Sequence, residues 1–366
     1  MKIVFDGKRF FNNGSGLGNY SRDLVRILAA YFPEHQYLLF NKNLSERGKE
    51  ILNLPNVSFR EISKGNLSRQ FKMGKDAQNA DADIFHGLSG ELPLKWTNKP
   101  IKKIVTIHDL IFLRFPQYYS FFDRKMHLWK FRKAAEQADL IIAISEQTKR
   151  DIIKFLKVPE SKIRVVYQGC HESFKEIQSP EFLNSVKGKF KLPEKFILNV
   201  GTIEERKNLL NIVKAVNGTE IPLVVIGKKT KYFNKVERFI TKNKLQNQIV
   251  FLENVSMEEL AAIYKLAGIF VYPSFFEGFG IPVIEALFSG TAVITSNTSC
   301  LPEAGGNASV YIDPHNSADL KSKIIFLWNN EAERKRRAEK GLKYVQKFKD
   351  KNIADELMRV YNEVLC

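Results

Sequence analysis

The stretch from Ile269 to Ala286 restricts the possible folds of this chain more than any other. Ile269-Phe270-Val271-Tyr272-Pro273-Ser274 is apolar and β-prone, which predicts a buried strand ending at Pro273. Phe276-Glu277-Gly278-Phe279-Gly280-Ile281-Pro282-Val283-Ile284-Glu285-Ala286 follows. Pro282 suits the first turn of a helix, where a missing N–H costs nothing. That helix carries Val283, Ile284 and Leu287 inward and stops at Gly290. Glu277 to Gly280 is then a glycine-bearing loop that feeds a helix N-terminus at the carboxyl end of a strand. Such a loop turns backbone N–H groups and the positive end of a helix dipole toward an anion.

Glu277 and Glu285 flank the loop. At about 1.5 Å rise per residue they stand roughly 12 Å apart or more. The acid/base pair of a glycosidase sits about 5 to 9.5 Å apart. These two carboxylates therefore suit the two ends of one long ligand better than the two sides of one scissile bond. A plain surface loop with two solvated glutamates is the alternative that the local pattern leaves open. The Glu-x7-Glu spacing within this stretch resembles the signature of retaining glycosyltransferases of family four, which have the GT-B fold. The resemblance implies that Glu277 touches the donor sugar and that Glu285 holds the ribose hydroxyls of a nucleotide-diphosphate sugar.

A second motif precedes the first. Gly201-Thr202-Ile203-Glu204-Glu205-Arg206-Lys207-Asn208-Leu209 follows the strand Phe196–Val200 and opens a helix over Leu209–Val216. Arg206 and Lys207 at such a strand end can clamp a diphosphate, although any Arg-Lys pair can be a solvated face. The pattern resembles the family's diphosphate site, in the same order before the Glu-x7-Glu loop. The turn after Ile249–Leu252, at Glu253-Asn254-Val255, matches the place where family members contact the nucleobase, which makes Val255 the candidate there. Leu301-Pro302-Glu303 resembles the family's next turn, and Glu303 is read as structural.

The first half repeats the strand and helix alternation. Met1 to Phe10 reads as a strand, Asn12 to Tyr20 as a glycine-rich turn, and Leu24, Val25, Leu28 and Ala29 as an amphipathic helix. In the resembling family a glycine loop here faces the donor diphosphate across an interdomain cleft, which points to Gly16. Asp81-Ala-Asp83 is a formal Asp-x-Asp, read as a polar lead-in to the strand Ile84–His86 because no further carboxylate stands near it for a metal. His86 is read as a hydrogen-bonded wall residue. His108 ends the strand Ile101–Ile107, where catalytic groups of open α/β sheets gather. Thr106-Ile107-His108-Asp109-Leu110 resembles the family motif whose histidine contacts the donor sugar. Gln168-Gly169-Cys170 stands where the family has Asn-Gly-Val, which leaves the role of Gln168 open.

The chain has 366 residues and a formal net charge of +17, so it has room for two cored domains and favours anionic partners. No apolar run approaches the roughly 20 residues that span a bilayer, and Met1 to Phe5 starts a strand rather than a signal peptide. Cys170, Cys300 and Cys366 lack metal-site spacing, which suits a reduced cytoplasm. Arg114 to Lys133 is rich in both rings and cations. Such a segment fits an anionic membrane surface, or a core helix with a charged outer face. No helix-turn-helix, zinc finger or RNA-binding motif accompanies it, so nucleic acid is not an expected partner.

Two runs of alternating strand and helix, parted by a non-periodic stretch, predict two Rossmann-like α/β domains facing across a cleft. The boundaries expected are 1–170 for an acceptor domain, 171–193 for a linker and 194–349 for a nucleotide-sugar domain. A terminal helix over 350–366, apolar at Ile353, Leu357, Val360, Tyr361 and Val364, crosses back to the first domain in the GT-B fold. The expected activity is retaining transfer of a hexose from a nucleotide-diphosphate sugar (GDP-mannose or a UDP-sugar). The acceptor would be a glycan or lipid-linked precursor of a surface polysaccharide, met in the cytoplasm or at the inner membrane face. Arg206, Lys207 and the N–H groups of Gly278, Phe279 and Gly280 would meet the charge of the leaving diphosphate, so no cofactor or metal is expected. An epimerase or glycogen-type synthase of the same fold, or a non-catalytic basic binding protein, are the rival readings.

Overall fold

The computed structural model describes residues 1–14 and 16–366; Ser15, within the glycine-rich stretch, lies outside the described residues. The chain forms two compact units, Met1–Gly169 with Lys349–Cys366, and Cys170–Phe348. The first holds a seven-stranded parallel sheet of β1 (Lys2–Asp6), β2 (Gln36–Asn41), β3 (Val57–Glu61), β4 (Ile84–Gly87), β5 (Lys102–Ile107), β6 (Leu140–Ala143) and β7 (Ile163–Val165). Its order is β3-β2-β1-β4-β5-β6-β7. The second holds six parallel strands, β8 (Ile197–Val200), β9 (Leu223–Ile226), β10 (Ile249–Leu252), β11 (Ile269–Tyr272), β12 (Ala292–Ser296) and β13 (Val310–Ile312), in the order β10-β9-β8-β11-β12-β13.

Both sheets are doubly wound. The chain steps outward from β1 to β3 and returns to lay β4 on the other side of β1, with Phe5 opposite His86. It does the same around β8, where β11 returns with Ile269 opposite Ile197. Ligands of open α/β sheets bind beyond the carboxyl ends of strands at these reversals. The inner strands are apolar on both faces because helices cover both, as parallel sheets require, whereas the edge strand β3 is largely exposed. In the first unit Ile3, Phe5, Tyr37 and Leu39 face the helices Gly16–Tyr31 and Asp350–Leu365. Val4, Leu38, Phe40 and Val105 face the other side.

The final helix belongs to the first unit. Ile353, Leu357, Val360, Tyr361 and Val364 are buried there among Leu24, Val25 and Leu28. Each such side chain contributes about 1.5–3 kcal/mol when fully buried. Arg26 pairs with Asp350 at 2.7 Å, and Arg164 pairs with Glu363.

Three readings of the sequence need correction. The first strand ends at Asp6 rather than Phe10, and the chain turns through a short helix at Lys8–Asn12. Neighbours in a strand point to opposite faces, but the Phe10 and Phe11 rings touch edge to face at 4.8 Å. The supposed turn from Asn12 to Tyr20 is already helical from Gly16. Finally, the stretch 171–193 carries a helix, Pro180–Lys189, within the second unit. Ser179 caps it by accepting from the Phe182 N–H at 3.2 Å, so Pro180 starts a helix there instead of breaking one. Only Val186 of that helix is fully buried, too little to show a periodicity.

Candidate functional site

Two loops of the second unit meet at its switch point. After β8 the chain makes a helical turn at Glu205–Lys207, and Asn208 follows in the left-handed region at φ 59°. The buried Asn208 amide donates to the carbonyls of Pro273 at 3.1 Å and Pro314 at 2.8 Å, stapling this turn to the loops after β11 and β13. The Phe275 N–H donates to the Arg206 carbonyl at 2.9 Å, a further tie between the two.

Arg206 points into the Glu277 loop. Its guanidinium donates to the Phe276 carbonyl, pairs with Glu277 at 2.8 Å and reaches Glu204 at 2.6 Å. It holds the loop and its carboxylate, whereas the sequence suggested a clamp on a ligand. Glu277 is buried, and its Oε1 also accepts from the Tyr272 hydroxyl at 2.8 Å and the Ser274 hydroxyl at 2.9 Å. Burial alone would push its carboxyl up, but Arg206, then Lys207, and these hydrogen bonds hold it below the usual carboxylate range.

Glu285 lies on the helix Ile281–Phe288 and is also buried, with the Tyr264 hydroxyl donating to Oε2 at 3.0 Å. Burial pushes its carboxyl up to about 7, against the pull of that hydrogen bond and of Lys207. Lys207 is the group common to both glutamates, since its ammonium acts on each. It lies over the Tyr272 ring at 5.6 Å and forms no ion pair with a described residue.

The loop backbone is shaped from beneath. Gly280 sits at φ +103°, where a Cβ would fall 2.9 Å from Leu301, so only glycine fits. The Phe279 ring packs on Phe348 at 5.3 Å, which leaves only its backbone to face a ligand. The Glu277 N–H donates to Ser299 Oγ at 3.2 Å. The Cys300 thiol donates to the Glu277 carbonyl at 3.1 Å, and Thr298 Oγ1 to Phe275 at 3.0 Å. Val255 is half-buried after β10, the edge strand. Three strand spacings separate β10 from β11, roughly 14 Å at about 4.8 Å each. Arg206, Lys207, Glu277, Gly278 and Glu285 are thus brought together, with Val255 farther along the same sheet edge.

His108 and Gly16 lie in the first unit. His108 Nε2 is 2.9 Å from the Leu88 carbonyl, which can only accept, so Nε2 carries the proton. Nδ1 then accepts from the Gln168 amide at 3.0 Å. Burial pushes the imidazole pKa down to about 4; the Leu88 carbonyl opposes this and the Arg9 charge adds to it. The ring is therefore neutral and fixed, with Tyr20 edge-on at 4.5 Å. His86 is the wall residue expected: Nδ1 meets the Tyr361 hydroxyl at 2.7 Å and Nε2 meets Thr106 Oγ1 at 2.8 Å. Thr106 Oγ1 meets the Tyr20 hydroxyl at 3.1 Å, so four side chains form one buried chain. A Cβ on Gly16 would meet nothing within 4 Å, whereas one on Gly18 would fall 1.9 Å from the Asn13 carbonyl. Gly18, within the helix, is thus the glycine that the close approach of Asn13 requires. Asp83 accepts from the Lys2 N–H at 2.7 Å and Asp81 pairs with Lys99 at 3.3 Å, so both serve the lead-in to β4.

The sequence reading missed Tyr264, Tyr272, Asn208, Ser299 and Cys300. Only Ser299-Cys300, just before Leu301-Pro302-Glu303, carried a local signal. The two tyrosines looked like ordinary core residues. Among the described residues no three His, Cys, Asp or Glu side chains converge as a metal-binding group.

Two doubly wound parallel-sheet units, with this charged loop pair at the second reversal, define a class: the chain belongs to the GT-B glycosyltransferases. Residues 14–174 match the family model for glycosyltransferase family 4, and residues 182–344 match that for glycosyl transferases group 1. The O-antigen chain mannosyltransferase B of Escherichia coli is 26% identical, with 99% of each chain covered. The O-antigen chain mannosyltransferase RfbU of Salmonella typhimurium is 28% identical over 60% of this chain and 59% of its own. Sucrose-phosphate synthase from Thermosynechococcus elongatus superposes with a TM-score of 0.79 at 20% identity, covering 99% of this chain and 98% of that one, a likeness of fold.

Proposed function

We propose that this glycosyltransferase moves a mannosyl residue from GDP-mannose, with retention, onto the growing chain of a lipid-linked surface polysaccharide. The observation that carries the reading is Lys207: a cation that forms no ion pair with a described residue, acting on two buried glutamates at the sheet reversal. The choice of sugar and of polysaccharide draws on the mannosyltransferase relative that matches end to end.

In this reading the ribose hydroxyls donate to Glu285, and Glu277 accepts from the sugar. Arg206 keeps Glu277 ionised and in place. As the bond between the anomeric carbon and the diphosphate oxygen breaks, negative charge grows on the leaving diphosphate. Lys207 and the N-terminal end of the helix Ile281–Phe288 stabilise that charge. The acceptor hydroxyl bonds to the anomeric carbon on the same face, and its proton passes to the leaving phosphate oxygen. No metal enters this scheme. The role of His108 at the donor sugar is the one the resemblance implies.

The acceptor's lipid would lie where helix Phe121–Gln137 rests on an anionic bilayer. Ala134 and Ala135 turn inward, while Phe122, Lys125, Met126, Trp129 and Arg132 recur on the outer face. Phe122 is 83% exposed and Trp129 50%. Large exposed rings set among cations fit an interfacial helix. No helix among the described residues is long and apolar enough to cross a membrane.

The test is transfer by the purified protein from a donor panel of GDP-mannose and UDP-hexoses to a lipid-linked glycan, with and without EDTA. Mannose transfer from GDP-mannose, an α-linked product from the α-linked donor, and indifference to EDTA are expected. Transfer only from a UDP-sugar, inversion, or loss of activity in EDTA would each overturn the corresponding part. Flotation with vesicles tests the membrane face: binding to phosphatidylglycerol vesicles should be lost on changing Phe122→Ser together with Trp129→Ser.

A further inference from the structure

The first unit has a charged cluster at its own sheet reversal that the proposed chemistry does not use. Asp6, the last residue of β1, is buried and paired with Arg69 at 2.5 Å. Arg69 also pairs with Glu91 at 2.5 Å, and Lys130 reaches Glu91 at 3.4 Å. Two carboxylates therefore face two cations, and these charges balance. Lys8 and Arg9, next along the chain, are in excess.

Neither Lys8 nor Arg9 forms an ion pair with a described residue. Both are half-buried, and the Nε–H of Arg9 is buried without an acceptor. The cations stand close enough to act on one another. Burial and then Arg69 pull the Lys8 pKa down, Arg9 adds to this, and Glu91 and Asp6 oppose it only in part; Arg9 pulls His108 down too. Like charges only partly compensated and an unmet buried donor both cost free energy in a protein interior. A bound anion relieves both at once. Arginine's fork and a lysine point charge are the pair that suits phosphate oxygens.

We propose that Lys8 and Arg9 form a phosphoryl-binding site beside His108, separate from the diphosphate site at Lys207. The group it takes is a phosphate ester, with Arg9 Nε and the Lys8 ammonium as donors. This inference goes beyond the proposed transfer reaction and does not depend on which sugar is moved. A phosphate carried by the acceptor's lipid and a phosphate of the nucleotide both offer this chemistry, and the experiment separates them.

The full chain is titrated with butyl phosphate by calorimetry, alone and then saturated with GDP. One equivalent should bind in both states, and Lys8→Gln with Arg9→Gln should weaken it at least tenfold while GDP affinity holds. The His108 ring resonances, followed by NMR, should titrate at higher pH once butyl phosphate is bound. The double Gln variant should keep the parent's far-UV circular dichroism and melting profile, which shows that lost binding is not lost folding, and Arg9→Lys should bind between the two. Butyl phosphate excluded by GDP would assign the cluster to the nucleotide and overturn a separate site. Equal binding by the parent and the double Gln variant, or no binding by either, would overturn the site altogether. Failure to bind GDP, with butyl phosphate still bound, would sink the donor reading and leave this site standing.

Discussion

Replacing Glu285 by Gln should stabilise the unliganded protein at neutral and alkaline pH while weakening its hold on nucleotide. The carboxyl is buried, its only hydrogen bond from a described residue comes from Tyr264 at 3.0 Å, and burial pushes its pKa from the ordinary 4.5 up to about 7. A group whose folded pKa is raised favours the fold fully below its unfolded pKa, and that contribution is lost as pH rises through the folded value. Between those two values the native state gives up roughly 1.4 kcal/mol per pH unit, on the order of 3 kcal/mol in all. Gln keeps the shape and still accepts from Tyr264, but has no charge to bury. The variant should match the parent at about pH 4 and exceed it by about 3 kcal/mol at pH 8, or roughly 6 to 12 °C in Tm for a unit of this size. Nucleotide binding should weaken about 10- to 150-fold, because hydrogen bonds to a charged acceptor contribute about 1.5–3 kcal/mol. Calorimetric melts of both proteins across this pH range, with GDP titrations at pH 8, measure both effects. An unchanging difference in Tm across the range, or a less stable variant at pH 8, would refute the reasoning.

Three further outcomes follow from the same contacts. Glu277→Gln removes the principal partner of the buried Arg206 charge and should cost about 3–5 kcal/mol in urea unfolding at pH 7; because the Glu277 pKa is lowered, the loss should shrink as pH falls through the folded carboxylate's range. Gln168→Leu frees the Nδ1 side of His108 and should cut transfer about a hundredfold with GDP affinity unchanged, as kcat measurements and a nucleotide titration will tell. Tyr361→Phe leaves His86 Nδ1 buried without a partner and should cost about 1–3 kcal/mol in denaturant unfolding, with no change in nucleotide affinity.

β1, β4, β5, β8, β10 and β11 were legible from apolar runs bounded by turn residues; β4 and β11, for example, are buried along their whole length. β13 was not, since three residues at a sheet edge carry no periodicity. The order of strands in each sheet was not legible: no local pattern says that β4 returns beside β1. The site was half legible. Glu277, Glu285, Arg206 and Lys207 stood out as charges beside glycines at a strand end. Which cation holds the loop and which stays unpaired depends on side-chain direction, and the spacing of Arg206 and Lys207 cannot show it. Tyr264 and Tyr272 were hidden for the opposite reason: their rings are core, and only their hydroxyl tips touch the glutamates.

The helix Asp350–Leu365 closes a core whose other walls begin at β1. A ribosome makes that helix only after every residue of the second unit. Through most of synthesis the first unit therefore has an uncovered greasy side, with His86 awaiting the hydroxyl of Tyr361. Its core is closed only after the whole second unit has been made, so a chain interrupted before Asp350 would emerge sticky rather than half-functional, and quality control would meet this protein from its amino-terminal side.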